Sequence, residues 1–218
     1  MKLKEVLERK WGISIELLLF LIIAISTIQL NLSITIPLLI ALYIISVRTR
    51  HLKWIDVGID KTDITFKNIL WGIALAGSYH IVFYYIIDPV LKPVLPPTNI
   101  QALGITKGDV RQLLVWLFIS WTIAAIFEEL LFRGYLINRF IDLIGSSIPA
   151  KFLIVIVTAT AFGFVHSYQG IHGMISAGMV GIFQAIIFLI NKRKLFIPIV
   201  IHGTFDTISF IFLFLGIS

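Results

Sequence analysis

Long apolar runs dominate the chain and place the strongest constraint on its fold. A membrane-spanning helix needs roughly 17 to 25 mostly apolar residues. Hydrophobic residues make up 58% of the 218 and charged residues only 14%, which a water-soluble domain of this size could not place on its surface. Seven candidate spans follow: 12–30, 32–47, 66–87, 112–132, 150–168, 172–190 and 196–216. We therefore predict an all-α, polytopic membrane helix bundle with about seven transmembrane helices, within a range of six to eight.

The positions of Lys and Arg predict how this bundle is oriented. With the N-terminus inside, 15 of the 18 Lys and Arg residues fall on the cytoplasmic side, where positively charged loops are retained. We therefore predict a cytoplasmic N-terminus. Basic edges beside anionic lipid also explain the net charge of +6, so we expect membrane lipid and no nucleic acid as a partner.

A proline-rich stretch divides the chain into two parts. Residues 88–110 contain four of the seven prolines and cannot form one continuous helix. We predict an N-terminal three-span part over residues 1–110, which ends in this external loop. A four-span core over residues 111–218 follows it.

The fourth predicted span contains charged residues in the segment "AAIFEELLFRGYL", residues 124–136. Each charge at membrane depth costs at least roughly 2.5 to 3.5 kcal/mol, so such residues normally face the bundle interior or a cavity. Glu129 and Arg133 are four positions apart, and this spacing predicts a salt bridge within the helix. Glu128 projects about 100° away from Glu129 and therefore needs a partner on another helix.

Candidate partners for Glu128 lie on two later spans. His166 ends the fifth span, and His202 and Asp206 lie four positions apart in the seventh. If the turn between the fourth and fifth spans is centred on Ser147, Glu128 and His166 are both 19 residues from it. In an antiparallel hairpin the two residues would then lie at the same depth, provided that the fourth helix continues to the turn.

Carboxylate and imidazole groups that meet inside a membrane are compatible with three kinds of chemistry. A glutamate beside a histidine can activate water for peptide hydrolysis, while a second histidine stabilises the oxyanion. Alternatively, His166, His202 and a carboxylate can bind a divalent metal ion, with Glu128 activating its water. Glu and His can also relay protons in a transporter, although the sequence contains no inverted repeat. Spacing alone does not choose among these three.

Three short motifs surround these residues: "EELLFR", "FGFVH" ending at His166 and "HGTFD" beginning at His202. They resemble the Glu-Glu-x-x-x-Arg, Phe-x-x-x-His and His-x-x-x-Asn motifs of the CPBP family, the CAAX-processing and bacteriocin-processing membrane endopeptidases also called the Abi family. The matches occur in the family's order within residues 124–206. The third departs from the family pattern, because Asp206 stands in place of the asparagine.

The resemblance implies an intramembrane endopeptidase that hydrolyses a peptide bond of a membrane-associated protein or peptide. In this interpretation Glu128 and His166 activate water, His202 and Asp206 stabilise the oxyanion, and two further residues support the site. The supporting residues are Glu129 and Arg133.

The family has been described both as metalloproteases and as metal-independent glutamate peptidases. The resemblance therefore assigns no certain cofactor and leaves zinc open, with His166, His202 and Asp206 as its ligands. An ionised Asp206 would repel an oxyanion, so it must be protonated, orient His202 or bind a metal. Of these roles we favour the orientation of His202.

The resemblance also bears on the substrate and the location of the protein. A CAAX tail that carries a lipid modification is one precedent for the substrate, and we expect the plasma membrane of a prokaryote as the location. Two alternatives stay open besides the peptidase. One is a non-catalytic protein on the same scaffold, such as a bacteriocin-immunity or partner-scaffolding protein, and the other is a proton-coupled transporter.

Three further polar residues have structural interpretations. We expect His80 to be a hydrogen-bonded residue within the bundle and His172 to lie at the membrane interface. Glu16 can reach Lys10 or Arg9 by extending toward water.

Overall fold

The computed structural model describes residues 3–30, 32–99 and 107–217, and this part of the chain forms helices and loops without a strand. We number its eight helices in chain order. They are α1 Leu3–Glu8, α2 Lys10–Ser26, α3 Leu32–Arg50, α4 Phe66–Leu91, α5 Val110–Ile144, α6 Ile148–Val165, α7 Gly170–Ile190 and α8 Phe196–Leu215. Short 3-10 turns occur at Trp54–Val57, Lys61–Asp63 and Ser167–Gln169.

Five of these helices, α4 to α8, are long and apolar enough to cross a membrane. Large apolar side chains cover their outer surface, among them Phe118, Phe152 and Ile190, which are 67%, 71% and 71% exposed. A surface of this kind is stable against lipid and not against water. The predicted all-α membrane bundle is confirmed, and the protein is an integral membrane protein.

The span count, the orientation and the division of the chain stay predictions. Helix α2 has 17 residues and a length of about 25 Å, which is short of the roughly 30 Å hydrocarbon core. Helix α4 continues to Leu91, four residues beyond the predicted end of the third span. Residues 100–106 of the proline-rich stretch lie outside the described residues.

Helices α5 and α6 form the predicted hairpin. Helix α5 continues without a break to Ile144, and α6 begins at Ile148, where Ser147 caps its N-terminus by accepting a hydrogen bond from the Ala150 backbone N–H. Gly145 has φ 81° and ψ −169°, a conformation that glycine adopts without strain. Helix α5 also contains two π-helical segments, Ser120–Ala124 and Leu130–Ile137. Widened turns of this kind occur frequently at functional sites.

A buried ion pair connects α2 to the end of α5. Glu16 accepts hydrogen bonds from the Tyr135 hydroxyl at 2.6 Å and from Arg139 Nε at 2.8 Å. The interpretation that Glu16 extends toward water was therefore wrong, since its side chain is only 3% exposed. Helix α2 is apolar on all sides, so sequence alone could not show which face packs against α5.

An aromatic cluster fills the centre of the bundle beneath the polar residues of the later helices. The Phe132 ring contacts Phe20 of α2 at 5.5 Å and Phe162 of α6 at 5.0 Å between ring centroids, in both cases edge to face. Helices α6 and α7 approach closely at glycines, since a Cβ atom on Gly163 would lie 2.7 Å from the Met174 carbonyl oxygen. This packing holds α5 and α6 in one position relative to their neighbours.

Candidate active site

A cavity of about 1370 Å³ lies among the helices, and most of its lining is apolar. Helices α4, α5, α7 and α8 contribute most of its walls, together with the segment that follows α2 and part of α3. Polar side chains lie within this apolar lining. They include the four predicted catalytic residues: Glu128, His166, His202 and Asp206.

Glu128 lies between the two predicted histidines. Its Oε2 atom is 3.9 Å from His166 Nε2 and 3.9 Å from His202 Nε2. Both distances exceed that of a direct hydrogen bond. Glu128 Oε2 is buried and has no hydrogen-bond partner within the described part of the chain. Residues from α5, α6 and α8 therefore converge on one carboxylate oxygen.

The end of helix α6 orients His166. The residue follows the last turn of the helix with φ −91° and ψ 11°, and its Nδ1 lies 2.9 Å from the Phe162 carbonyl oxygen. A carbonyl oxygen only accepts, so Nδ1 carries the proton and donates it. In the neutral imidazole Nε2 is then an acceptor, and this is the nitrogen that faces Glu128.

Glu129 orients His202 from the other side. Its Oε1 atom lies 2.9 Å from His202 Nδ1 and also accepts a hydrogen bond from Arg133 Nη1 at 3.1 Å. The predicted salt bridge between Glu129 and Arg133 is therefore present. The Arg133 guanidinium lies over the Phe162 ring at 4.6 Å from its centroid and donates a second hydrogen bond to the Gly181 carbonyl.

Asp206 lies beside the opposite nitrogen of His202. Its Oδ2 atom is 3.6 Å from His202 Nε2 and accepts a hydrogen bond of 2.6 Å from Ser120 Oγ. The hydrogen bond to the imidazole comes from Glu129, and the orientation of His202 by Asp206 stays a prediction. Sequence reasoning also missed Ser120, because one serine in an apolar run gives no signal of its own.

The metal interpretation gains no support from this arrangement. Within residues 3–30, 32–99 and 107–217, no group of three His, Cys, Asp or Glu side chains is arranged to hold a metal ion. The set that the sequence left open for zinc was His166, His202 and Asp206.

Two other histidines line the same cavity, and the structure corrects the expectation for His80. His172 is buried at 4% exposure, and its Nε2 is 3.1 Å from Asp88 Oδ1, while its place at the membrane interface stays a prediction. His80 packs edge-on against Phe205 and Phe212, and neither ring nitrogen has a hydrogen-bond partner among the described residues. Sequence spacing could not place either ring, because both contacts depend on how α4 packs against later helices.

The fold and site together define a helical membrane protein with a glutamate–histidine centre inside a largely apolar cavity. Residues 110–208 match the family model described as "Type II CAAX prenyl endopeptidase Rce1-like". This match, over just under half of the chain, supports the similarity of this segment to the CPBP family of CAAX-processing membrane endopeptidases. The matched description is that of a peptidase of the CAAX-protease type. No curated protein and no solved structure matches the chain.

Proposed function

We propose that the protein is an intramembrane endopeptidase in which Glu128 and His166 activate a water molecule. The observation that carries the proposal is the position of Glu128 Oε2, which is 3.9 Å from Nε2 of both histidines. A water molecule about 2.8 Å from each of two polar atoms fits across such a gap. The carboxylate and the His166 acceptor nitrogen can therefore hold one water from two directions.

In the proposed reaction the water oxygen attacks the carbonyl carbon of the scissile peptide bond. Glu128 accepts one proton from the water, and the remaining hydroxyl forms the new bond to carbon. Glu128 then passes this proton to the nitrogen of the leaving amine as the carbon–nitrogen bond breaks. The products are a carboxylic acid and an amine, which become a carboxylate and an ammonium ion when the acid proton passes to the amine, so one water is consumed for each bond hydrolysed.

His202 is the proposed donor to the oxyanion that forms during the attack. In its doubly protonated form it donates from Nδ1 to Glu129 and from Nε2 toward the cavity. Arg133 holds Glu129 in place and offsets its negative charge. Asp206 is stabilised by the Ser120 hydroxyl and lies near enough to His202 Nε2 to support the imidazolium.

The cavity favours a membrane-associated peptide as the substrate. Its volume of about 1370 Å³ exceeds the roughly 300 to 1,000 Å³ of most small-molecule sites, and the apolar lining fits hydrophobic side chains. By family precedent we propose a peptide with a CAAX-type C-terminus that carries a lipid modification. The proposed location is the plasma membrane of a prokaryote.

A reconstituted cleavage assay tests the proposed function. The full-length protein in lipid nanodiscs is incubated with a farnesylated CAAX peptide and with its unprenylated form, and mass spectrometry identifies the products. We expect hydrolysis by the wild type and none by His166→Ala or His202→Ala. His51→Asn changes an exposed histidine outside the cavity and should leave the rate unchanged. Full activity in His166→Ala would contradict the mechanism.

A further inference from the structure

The cavity contains a second group of polar atoms apart from the catalytic centre. Its central member is His172, whose Nε2 lies 3.1 Å from Asp88 Oδ1. Asp88 in turn contacts Lys92 Nζ at 3.0 Å through its other oxygen. His172 Nδ1 is buried but has no hydrogen-bond partner in the part of the chain that the structure describes. The imidazole is thus held on one side and unpaired on the other.

Two serine hydroxyls in the wall of the same cavity resemble His172 Nδ1 in this respect. Ser167 Oγ and Ser176 Oγ are buried, line the cavity and have no partner among the described residues. Hydroxyl groups in apolar helices commonly bond to a carbonyl of their own helix. Several others in this protein do so: Ser14, Ser26, Thr122, Thr158 and Thr207. Ser167 and Ser176 therefore differ from hydroxyls that serve only their own helix.

These three residues continue the wall on which the catalytic His166 lies. Ser167 follows His166 directly in the chain, and His172 and Ser176 are four positions apart on one face of α7. The wall thus offers polar atoms in a row that begins beside the catalytic centre. A peptide in extended conformation advances about 3.3 Å per residue, so it can present successive backbone groups to such a row.

The hydrogen-bonding capacity of His172, Ser167 and Ser176 determines which kind of ligand fits this wall. When His172 donates from Nε2 to Asp88, its Nδ1 is an acceptor and requires an N–H or O–H donor. The serine hydroxyls can donate to a carbonyl or accept from an N–H. A carboxylate or phosphate fits less well, because it would meet the His172 acceptor nitrogen and because Lys92, the cation of this group, is already paired with Asp88. The backbone amides of a peptide supply both the donors and the acceptors that this wall lacks.

We propose that Ser167, His172 and Ser176 form a backbone-binding subsite that holds the peptide substrate extended beside the catalytic centre. His172 Nδ1 accepts a hydrogen bond from one substrate amide N–H, and Asp88 orients the imidazole through Nε2. His172 is thus a substrate-positioning residue that takes no part in the bond cleavage. The inference rests on the proposed function, because it assigns a role within the binding of that enzyme's substrate.

A binding experiment separates this subsite from catalysis. It uses the full-length Glu128→Gln protein in lipid nanodiscs and a fluorescent farnesylated CAAX peptide. In a series of peptides, one backbone amide at a time is replaced by an ester, which removes the N–H donor and keeps every side chain. We expect one ester position to weaken binding about fivefold, the size of one hydrogen bond.

Variants at His172 test whether this loss belongs to the subsite. With His172→Gln, which keeps a polar atom near the Nε2 position, we expect the effect of the ester at that position to disappear. With His172→Asn, which keeps an acceptor near the Nδ1 position, we expect it to persist. If His172 only supported the fold, its substitution would not change the effect of the ester at one particular position of the peptide.

Ser176→Ala gives a second readout that does not depend on His172. Because the hydroxyl has no hydrogen-bond partner among residues 3–30, 32–99 and 107–217, its removal should leave the thermal midpoint unchanged while it weakens peptide binding about threefold. Ser14→Ala, which removes a hydroxyl bonded to its own helix, should not change peptide binding.

Equal affinity for all ester peptides, or no binding of any peptide, overturns the subsite. If the wild type fails to hydrolyse the all-amide peptide although the ester effect is present, the proposed function is wrong and the subsite stands. The two failures are therefore distinguishable.

Discussion

Helix α5 contains two buried arginines, each paired with a glutamate, and the two pairs differ in what surrounds them. Arg133 pairs with Glu129 one turn away on the same helix, beside the cavity. Arg139 pairs with Glu16 on α2, in a region away from the cavity. Both arginines are only 2% exposed, so burial does not distinguish the pairs.

The difference lies in how completely the polar atoms are satisfied. Both oxygens of Glu16 accept hydrogen bonds, from Tyr135 and from Arg139, and Arg139 also donates to the Leu7 carbonyl. Near Arg133, in contrast, one carboxylate oxygen of Glu128 and one of Glu129 have no hydrogen-bond partner among the described residues. A fully satisfied polar network stabilises a fold, whereas unpaired buried atoms beside a cavity indicate where a ligand binds.

Among the variants that test the difference between the two clusters, we expect Glu128→Gln to have the largest effect, a loss of catalytic rate. Loss of a general base lowers the rate about 10²- to 10⁴-fold, while the amide side chain still fits the site. The measurements are the rate of peptide hydrolysis and the thermal midpoint of the purified protein. We expect the midpoint to stay the same or to rise, because Glu128 Oε2 has no hydrogen-bond partner to lose in the described part of the chain. A fully active Glu128→Gln protein would refute its role as the base.

Glu16→Gln makes the same chemical change in the ion pair between Glu16 and Arg139, and we expect it to lower the stability of the fold. Removing this charge leaves the buried Arg139 with only the exposed Asp142 carboxylate as an anion. Breaking a buried ion pair costs up to roughly 3 to 5 kcal/mol, and we expect a loss within that limit. Denaturant titration in mixed micelles measures the free energy of unfolding. The folded fraction should retain its hydrolytic activity, and a large loss of activity per folded molecule would show that this ion pair also serves the site.

Ser120→Ala should have a smaller effect on catalysis. The change removes the hydrogen bond that the Ser120 hydroxyl donates to Asp206 at 2.6 Å. Because Asp206 then loses its hydrogen-bond donor, we expect kcat to fall about tenfold with little change in KM. Thr122→Ala is a matched control, since Thr122 lies two residues away and bonds to its own helix. Equal effects of the two changes would contradict a role of Ser120 at the site.

Lys194→Met, in the loop between α7 and α8, should have the smallest effect. Lys194 Nζ lies 2.5 Å from Asp63 Oδ1, and this hydrogen bond raises the pKa of Lys194. A group whose pKa is raised by folding contributes its full stability below the unfolded pKa and loses it as pH rises through the folded value. The variant should therefore have a slightly lower thermal midpoint than the wild type at neutral pH. Its thermal midpoint should also fall less than that of the wild type as the pH is raised into the alkaline range. Added salt should weaken the neutral-pH effect. An equal fall of the thermal midpoint at alkaline pH in the variant and the wild type would contradict this role of Lys194.

Much of the fold was predictable from sequence because it depends on local properties. Apolar runs indicated α4, α6, α7 and α8 to within four residues, whereas the fourth predicted span ended 12 residues before the end of α5. Turn residues around Ser147 placed the α5–α6 hairpin. The salt bridge between Glu129 and Arg133 followed from their spacing of four positions. The motif residues Glu128, His166 and His202 were selected in the same way, and the structure places their side chains together. Their catalytic roles stay predictions.

The contacts that sequence could not predict join distant positions. Glu129 and His202 are 73 positions apart, Ser120 and Asp206 are 86 apart, and Glu16 and Arg139 are 123 apart. The helices concerned are largely apolar around their circumference, so hydrophobic periodicity does not show which face is buried. The π-helical segments of α5 shift its faces further from those of a regular helix.

The sequence by itself thus determined a helical membrane protein, the position of its hairpin and the residue types of its motifs, because hydrophobicity and spacing act over short distances. Only the tertiary structure decided which carboxylate orients His202, which hydroxyl supports Asp206 and where His172 lies. Those choices depend on the rotation of each helix against its neighbours. Packing among apolar helices sets that rotation, and no short stretch of the sequence encodes it alone.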